Sequence, residues 1–230
     1  MSRIIFRLFW LPLYRRWALR HIQQERVWEY AGLRLRIPPG VFHPGIFFST
    51  PIFMDFLQHT NLRGKTVLDV GTGSGALALL AAQKGATTVA IDLNPAALES
   101  TAANAQNNGL SVTLWQSDLF ESLPIQTFDF VLVNPPYYAR TPSNASEHAF
   151  FAGEGLDYFA RFFQQLPDFI QTHTCIWMIL SEDCDWARIR QLAAQQHFEG
   201  RVVFERRKWG ERFFVAGFAD ENINSVKRLD

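Results

Sequence analysis

Apolar positions recur in two patterns along the chain from Lys65 onwards. Short, nearly continuous apolar runs predict buried strands in KTVLDV, TTVAID, SVTLWQSD, FDFVLVNPP, TCIWMIL, RVVFER and RFFVAGF. Segments of helical periodicity predict helices in SGALALLAAQKG, PAALESTAANAQNNG, LDYFARFFQQLPDFI and DWARIRQLAAQQ. Strands that alternate with helices in this way predict a doubly wound α/β fold with a mostly parallel, seven-stranded sheet.

The end of the chain departs from this alternation. The last two predicted strands are separated only by the short polar stretch RRKWGE, which favours a terminal antiparallel hairpin over another parallel strand. The surrounding stretch ERRKWGERF is locally basic. It is either a charged hairpin tip or a contact for phosphates or for an acidic protein partner.

A different pattern precedes the alternating part. In residues 1–30, apolar and aromatic residues at near-helical spacing are interrupted by several arginines, which predicts a helical arm kinked at Pro12. This arm either packs against the domain, recruits RNA through its Arg and aromatic side chains, or anchors at a membrane surface. The alternation in LRLRI, with the PPG and HPG turns, predicts a short β-hairpin within residues 33–48.

A further helix is predicted after this hairpin and runs to about His59. Thr50 is its predicted N-cap and Pro51 its predicted first residue. We therefore divide the chain into an N-terminal helical arm with a β-hairpin, residues 1–45, and a main domain, residues 46–230.

Composition adds few functional constraints. The 22 Lys and Arg residues balance the 22 Asp and Glu residues, so the formal charge gives no support for a broad nucleic-acid-binding surface. The cysteines, Cys175 and Cys184, show neither metal-ligand spacing nor a disulfide framework, so no metal is expected and a cytoplasmic location is predicted. No apolar run is long enough to cross a bilayer and no signal peptide is visible, so stable membrane insertion is not expected.

A glycine-rich loop separates the first strand of the alternating part from its helix. After Asp69, glycines occupy alternate positions, namely Gly71, Gly73 and Gly75. They permit a tight turn and let a ligand lie against the backbone, close to the N–H groups of the helix N-terminus. A second acid, Asp92, ends the next strand, at a position where a carboxylate can accept both hydroxyls of a ribose.

This loop and its acids resemble the class I S-adenosylmethionine-dependent methyltransferases. The resemblance implies S-adenosyl-L-methionine as cofactor and S-adenosyl-L-homocysteine as product. It implies that Asp69 and the loop glycines surround the methionine part, that Asp92 holds the ribose, and that Asp118 contacts the adenine amino group beside the N–H of Leu119. The cofactor-binding residues implied are Thr50, Asp69, Gly71, Thr72, Gly73, Gly75, Asp92, Leu93, Asp118, Leu119 and Asn134.

The tetrapeptide Asn134-Pro135-Pro136-Tyr137 follows the fourth strand, at the same carboxyl edge of the predicted sheet. Two prolines fix φ and remove N–H groups, so the Asn134 side-chain oxygen and the Pro135 carbonyl remain as acceptors. These acceptors can orient a planar –NH2 group toward the methyl donor and stabilise the positive charge that develops on its nitrogen. Tyr137 can stack on that group. These four residues are the predicted catalytic residues.

The NPPY motif in this position is similar to the release-factor glutamine N5-methyltransferase family and its relatives. SDLFESLPIQTFDFVLVNPPY and EHAFFAGEGLDYFARFF also resemble that family, and the resemblance covers roughly residues 45–180. It implies an N-methyltransferase whose favoured substrate is a protein glutamine. Adenine N6 of RNA, less favourably of DNA, is the alternative substrate, a small molecule is another, and a non-catalytic binding subunit with this fold is the competing function. The sequence leaves the oligomeric state open.

Overall fold

The computed structural model describes residues 24–46, 48–136, 153 and 155–220. Most of the predicted N-terminal arm and the predicted catalytic residue Tyr137 therefore lie outside the described residues. Among the helices of the described ranges, none is long and apolar enough to cross a membrane.

The described part of the chain forms two sheets, α-helices on both sides of the larger one, and a 3₁₀-helix. The strands are β1 (Arg26–Tyr30), β2 (Leu33–Ile37), β3 (Thr66–Val70), β4 (Thr87–Asp92), β5 (Thr113–Gln116), β6 (Phe130–Val133), β7 (Cys175–Ser181), β8 (Phe198–Lys208) and β9 (Glu211–Asp220). The helices are α1 (Ser49–Gln58), α2 (Ala76–Gln83), α3 (Pro95–Asn107), α4 (Asp157–Gln165), the 3₁₀-helix (Leu166–Phe169) and α5 (Trp186–Ala194).

The larger sheet has seven strands in the order β5-β4-β3-β6-β7-β9-β8. Strands β3 to β7 are parallel, whereas β9 runs antiparallel to both β7 and β8. The predicted mostly parallel, doubly wound sheet with a terminal antiparallel hairpin is thus confirmed. Ser181, at the carboxyl end of β7, pairs with Phe213 near the start of β9. The β8–β9 turn therefore lies at the same edge as the carboxyl ends of the parallel strands.

Both faces of this sheet are covered, because successive residues of its strands point to opposite faces and both sets are apolar. In β3, Val67 belongs to one hydrophobic cluster and Leu68 to the other. The cluster of Val67 also contains Leu35 of β2 and residues of α1 and α2. The cluster of Leu68 contains residues of α4 and α5. The N-terminal hairpin therefore contributes to one of the two cores of the sheet.

This hairpin begins earlier than the sequence predicts. Arg26–Tyr30, which the prediction places in the helical arm, form strand β1 and pair with β2. Ala31 and Gly32 connect the strands with φ values of 53° and 79°, the left-handed backbone of a two-residue hairpin turn. The helical prediction is wrong here because a five-residue segment is too short for periodicity to separate the two structures. In the strand, the rings of Trp28 and Tyr30 stack with their centroids 5.2 Å apart.

The predicted N-cap of α1 is also wrong. Phe48 occupies the cap position and no side chain caps the helix, whereas Thr50 and Pro51 lie inside its first turn. The Thr50 hydroxyl instead accepts a hydrogen bond from the side chain of Asn134 at 3.0 Å. A side chain that the local pattern assigns to a cap is used for a contact between distant parts of the sequence.

Helix α3 and the residue after it close the outer edge of β2 with two asparagine side chains. Asn104 accepts from the N–H of Arg36 at 2.7 Å and donates to its carbonyl oxygen at 3.0 Å. Asn108 does the same for Arg34, at 3.0 and 2.9 Å. Four residues of helix advance about 6.0 Å and two residues of strand about 6.6 Å, so the side chains stay in register with alternate strand residues. Two amide side chains thus take the place of a neighbouring strand.

We predict that Asn104→Ala lowers the free energy of unfolding by about 1–3 kcal/mol, because it removes the side-chain partner of the N–H of Arg36 and the buried hydrogen bond to the carbonyl oxygen of Ser74. Asn107→Ala is the matched control, since Asn107 is exposed on the same helix and its loss should cost less than about 0.5 kcal/mol. Urea denaturation of both variants measures the difference. Equal midpoints for the two variants would contradict the role assigned to Asn104.

Candidate functional site

The predicted site residues gather at the carboxyl edge of the large sheet. Asp69 lies near the end of β3, Asp92 ends β4, Asp118 follows β5, and Asn134 directly follows β6. Because β5, β4, β3 and β6 are neighbours in that order, the four side chains line one edge. In the described ranges, no group of three His, Cys, Asp or Glu side chains is arranged to hold a metal ion.

The glycine loop between β3 and α2 is open at its beginning and tightly packed at its end. Gly71, Gly73 and Gly75 have φ values of 74°, 58° and 85°, all in the left-handed region that favours glycine. A Cβ on Gly71 would meet no atom within 4 Å. A Cβ on Gly75 would lie 2.6 Å from Leu79 and 2.8 Å from Thr101. Gly75 is therefore needed for packing as well as conformation, whereas the backbone at Gly71 faces free space.

Asp69 is buried beneath this loop, with 1% of its surface exposed. Its Oδ2 accepts hydrogen bonds from Oγ1 of Thr72 at 2.7 Å and from the N–H of Ala78 at 3.1 Å. Ala78 lies in the first turn of α2, whose N-cap residue Gly75 has no side chain, so Asp69 supplies an acceptor from the strand for one of the free N–H groups at that end of the helix. Burial raises the pKa of Asp69 to about 7, although the two hydrogen bonds act in the opposite direction. These contacts of Asp69 and Thr72 hold the loop in its shape.

Asp92 stands on the open side of the loop. Its Oδ2 accepts from the N–H of Gly73 at 2.9 Å, and its Oδ1 accepts from the N–H of Asn94 at 2.9 Å. Burial raises the pKa of Asp92, while these backbone hydrogen bonds lower it. The two amides fix the orientation of the carboxylate, which makes it a preorganised acceptor. Leu93, the next residue, is 43% exposed beside it.

Asp118 is paired with a cation that the sequence analysis did not single out. The guanidinium of Arg161 in α4 lies 2.9 Å from Oδ2 of Asp118 and 2.8 Å from Glu121. The hydrogen bond to Asp118 and, to a lesser degree, that to Glu121 raise the pKa of Arg161. The residue after Asp118, Leu119, has a φ of 53°. Non-glycine residues adopt this conformation at a cost of about 1–3 kcal/mol, mostly at functional sites.

The side-chain amide of Asn134 is hydrogen-bonded to helix α1. Its Nδ2 donates to Oγ1 of Thr50 at 3.0 Å, and Thr50 is itself buried in α1. This bond sets the rotation of the amide, so Oδ1 lies on the side away from Thr50. Pro135 and Pro136 are buried. The resemblance names Thr50 and Asn134 as separate cofactor-binding residues. In the structure their side chains are in direct contact.

Tyr158, in the first turn of α4, lies near three of the acids at this edge, namely Asp92, Asp69 and Asp118. Burial raises the pKa of its hydroxyl well above the usual range, and the negative charges of Asp92, Asp69 and Asp118 raise it further, in that order. Tyr158 and Arg161 are three residues apart, which puts both on one face of the helix. Both residues lie in EHAFFAGEGLDYFARFF, which resembles the methyltransferase family as a segment. Their contacts with the acids depend on how α4 packs against β5, so the sequence alone does not identify them.

Residues 32–158 match the family model described as methyltransferase small domain. This match covers more than half of the chain, so the chain belongs to that family, and the predicted class, an S-adenosylmethionine-dependent methyltransferase, is confirmed together with its cofactor.

Among related proteins, a putative protein N5-glutamine methyltransferase of Methanocaldococcus jannaschii is 30% identical over 149 residues, which are 62% of this chain and 73% of that protein. A release factor glutamine methyltransferase of Gloeobacter violaceus is 40% identical over 115 residues, 47% of this chain and 40% of the relative. The chain thus spans less than half the length of the second relative.

Solved structures support the fold. The Thermus thermophilus 16S rRNA N2 G1207 methyltransferase, in complex with AdoMet and guanosine, superposes with a TM-score of 0.66 at 20% identity, over 86% of this chain and 50% of that one. At this level of identity the similarity establishes the doubly wound methyltransferase fold.

The residues at the edge fit a sulfonium nucleoside. The free space over Gly71 leaves room for a ligand against the backbone. The oriented carboxylate of Asp92 is a suitable acceptor for ribose hydroxyls. Asp118 and Leu119, to which the resemblance assigns the adenine, follow the neighbouring strand β5 at the same edge. When bound, S-adenosylmethionine supplies an activated methyl group on a positively charged sulfur.

We predict that Asp69 makes the folded protein less stable as the pH rises from about 4 to about 7. The unfolded carboxyl loses its proton near pH 4, whereas the folded one keeps it until about pH 7. The folded state binds more protons in that window, so this group lowers the unfolding free energy by at most about 1.4 kcal/mol per pH unit as pH increases. Asp69→Asn should remove this contribution, which urea titrations at several pH values measure.

Asp129→Asn is the control of opposite sign. A hydrogen bond from the backbone of Thr66 lowers the pKa of Asp129, so its stabilising contribution is lost only as the pH falls through its lowered pKa, below about 4. Between about pH 5 and pH 7 this variant should keep the pH slope of the unmodified protein. If Asp69→Asn kept that slope as well, the account of Asp69 would be wrong.

Proposed function

We propose that this methyltransferase acts on a planar –NH2 nitrogen, and that its favoured substrate is the side-chain amide of a protein glutamine. The observation that carries the proposal is the hydrogen bond from Asn134 to Thr50, beside two buried prolines and at the same edge as the glycine loop. This bond orients the Asn134 side chain before substrate arrives. Preorganised polar groups of this kind stabilise charge that develops during a reaction.

The cofactor is proposed to lie across β3, β4 and β5. The glycine loop, with Gly71 at its open end, borders the methionine part, and Thr50 and Asn134 lie at the methyl end. Asp92 accepts the ribose hydroxyls, and Leu93 contacts the nucleoside. Asp118 and the N–H of Leu119 are assigned to the adenine. Asp69, Thr72, Gly73 and Gly75 act by holding the loop in shape.

The proposed reaction is a direct transfer. Oδ1 of Asn134 and the carbonyl oxygen of Pro135 accept hydrogen bonds from the two hydrogens of the acceptor –NH2 and align its nitrogen with the methyl carbon. S-adenosylmethionine would supply the methyl group to this nitrogen and would leave as S-adenosylhomocysteine. Positive charge develops on the nitrogen next to these acceptors, and the alkylated nitrogen then loses one proton. The role of Tyr137, a stacking surface for the planar group, is proposed from the sequence alone.

Relatives support a protein substrate but also show the alternative. The Methanocaldococcus and Gloeobacter relatives are both named for glutamine methylation, which favours a glutamine. A second candidate is the exocyclic amine of adenine in RNA, because another relative, from Chromohalobacter salexigens, is named as a ribosomal RNA methyltransferase, at 34% identity over 125 residues. That match covers 52% of this chain and 37% of the relative.

We predict that Asn134→Ala lowers kcat by at least about 100-fold while the Kd for S-adenosylmethionine changes only slightly, because the lost group acts on the developing charge. Thr50→Val should lower kcat by about 10-fold, since only the orientation of Asn134 is lost. Thr60→Val, two residues after the end of α1, is the matched control and should leave kcat unchanged. The assay is transfer of labelled methyl groups into an extract of cells that lack the protein.

Treatment of the labelled extract with protease or RNase then identifies the acceptor. Label that protease releases and RNase does not supports a protein amide. Release of the label by RNase would instead identify an amino group of RNA as the acceptor. Full activity of Asn134→Ala would refute the proposed role of the motif.

We predict that Arg161 sets how strongly the site prefers adenine. Because Arg161 holds one oxygen of Asp118, Arg161→Met should reduce by about 10-fold the preference for S-adenosylhomocysteine over its analogue with a 6-oxo group in place of the 6-amino group. Calorimetric titration gives both Kd values. Glu121→Gln removes the other partner of Arg161 and should leave the preference unchanged. An unchanged preference in Arg161→Met would mean that the ion pair does not act on the cofactor site.

A further inference from the structure

The turn between β8 and β9 lies at the edge of the sheet that carries the site. We call residues 206–212 the hairpin tip. Because β9 runs against β7, the tip is at the carboxyl edge, together with Asn134. It belongs to no part of the cofactor site described above.

The hairpin tip contacts the start of helix α1, which also holds Asn134. The ring of Trp209 packs edge-to-face on Phe48 with centroids 4.9 Å apart, and Nζ of Lys208 lies 5.3 Å from the centre of the same ring. Phe48 is the N-cap residue of α1, and Thr50, two residues later, holds Asn134. A few residues of extended substrate, at about 3.3 Å each, can connect the hairpin tip with Asn134. The tip is therefore within reach of a macromolecule whose acceptor group sits at Asn134.

Trp209 adopts a backbone conformation that is unfavourable for a bulky residue. It is 63% exposed, and it occupies the first position of a two-residue turn with a φ of 52°, followed by Gly210 at 81°. Asn or Asp is preferred at that position, because bulky residues adopt the left-handed conformation unfavourably. Tryptophan is one of the residue types that most often dominate binding in protein interfaces.

Two cations of the tip are paired and two are not. Arg206 forms an ion pair with Asp55, and Arg212 forms one with Glu205 at 2.7 Å. Arg207 and Lys208 are exposed, and neither has a carboxylate partner among the described residues. Arg207 and Lys208 are consecutive residues of β8, so their side chains lie on opposite faces of the hairpin. Glu211 is the cross-strand neighbour of Lys208. The tip therefore presents one indole ring, with one cation that lacks a carboxylate ion pair on each face beside it.

We propose that the hairpin tip is the docking surface for an acidic segment of the protein substrate, an inference that rests on the proposed function. A partner with carboxylates complements Arg207 and Lys208, and Trp209 supplies an apolar anchor. A nucleic acid fits this surface less well. Proteins that bind its backbone neutralise about six to ten phosphates, whereas this chain has a formal charge of zero and the tip offers two unpaired cations.

Binding of two polyanions by the full-length protein tests this proposal without knowledge of the substrate. The probes are fluorescein-labelled poly-L-glutamate and a poly(U) oligonucleotide of similar length, measured by fluorescence anisotropy. We expect poly-L-glutamate to bind more tightly than poly(U). The double substitution Arg207→Gln and Lys208→Gln, or Trp209→Ala alone, should weaken poly-L-glutamate binding by about 10-fold or more.

The matched control replaces Arg63 and Arg190, exposed cations outside the tip, by glutamine, and should bind as the unmodified protein does. The urea midpoint and the Kd for S-adenosylmethionine show that each variant is folded. Tighter, Trp209-dependent binding of poly(U) would overturn the proposal in favour of a nucleic acid. Binding that the tip substitutions leave unchanged, or no binding of poly-L-glutamate, would overturn it as well.

Methyl transfer separates a failure of the docking surface from a failure of the proposed function. The tip variants should lose label transfer into extract protein but should methylate the single-residue acceptor acetyl-Gln-methylamide at the unmodified rate, because this acceptor is shorter than the few residues needed to reach the tip. If the unmodified protein labels neither acceptor, the proposed function fails, whatever the polyanions show. If the tip variants label extract protein at the full rate, the docking surface fails and the proposed function stands.

Discussion

The carboxylate of Asp69 connects three parts of the fold that must stay together for the site to exist. It is anchored in strand β3 and accepts hydrogen bonds from the loop at Thr72 and from the first turn of α2 at Ala78. Because Asp69 accepts a hydrogen bond from the first turn of α2, the N-cap position can be occupied by a glycine, Gly75, which has no capping side chain. The upper surface of the loop is thereby left to a ligand. Burial of the Asp69 carboxyl group at 1% exposure disfavours its charged form, which is why its pKa is raised.

Local patterns predict the parts of this molecule that are determined locally. The strands of the large sheet have continuous apolar runs because both of their faces are covered, and the glycine loop is visible because its backbone requires φ values that other residues avoid. The failures occur where a distant partner decides the outcome. Thr50 has the sequence of an N-cap but bonds Asn134, and Arg161 gains its meaning only when α4 is brought beside Asp118. No spacing in the sequence states these contacts, since they depend on how the helices pack.

The antiparallel direction of β9 determines which connections surround the site. A sheet made only of parallel strands brings strand-to-helix loops to its carboxyl edge. Here β9 enters antiparallel, so a tight strand-to-strand turn is also located there, with the rigidity that a two-residue hairpin provides. The site is therefore bordered by loops on the cofactor side and by a stiff hairpin on the other, which suits the tip to hold a partner rather than to close over it.

The asparagine that docks the N-terminal hairpin also touches the cofactor loop. Nδ2 of Asn104 donates to the carbonyl oxygen of Ser74 at 3.0 Å, between Gly73 and Gly75, as well as to that of Arg36 in β2. One side chain thus belongs to two equilibria, the docking of the hairpin and the ordering of the glycine loop. A displacement of either the hairpin or the loop therefore breaks a hydrogen bond of the same side chain. Reciprocity requires that any effect of a loop ligand on the docking of the hairpin equals the effect of the hairpin on the affinity for that ligand.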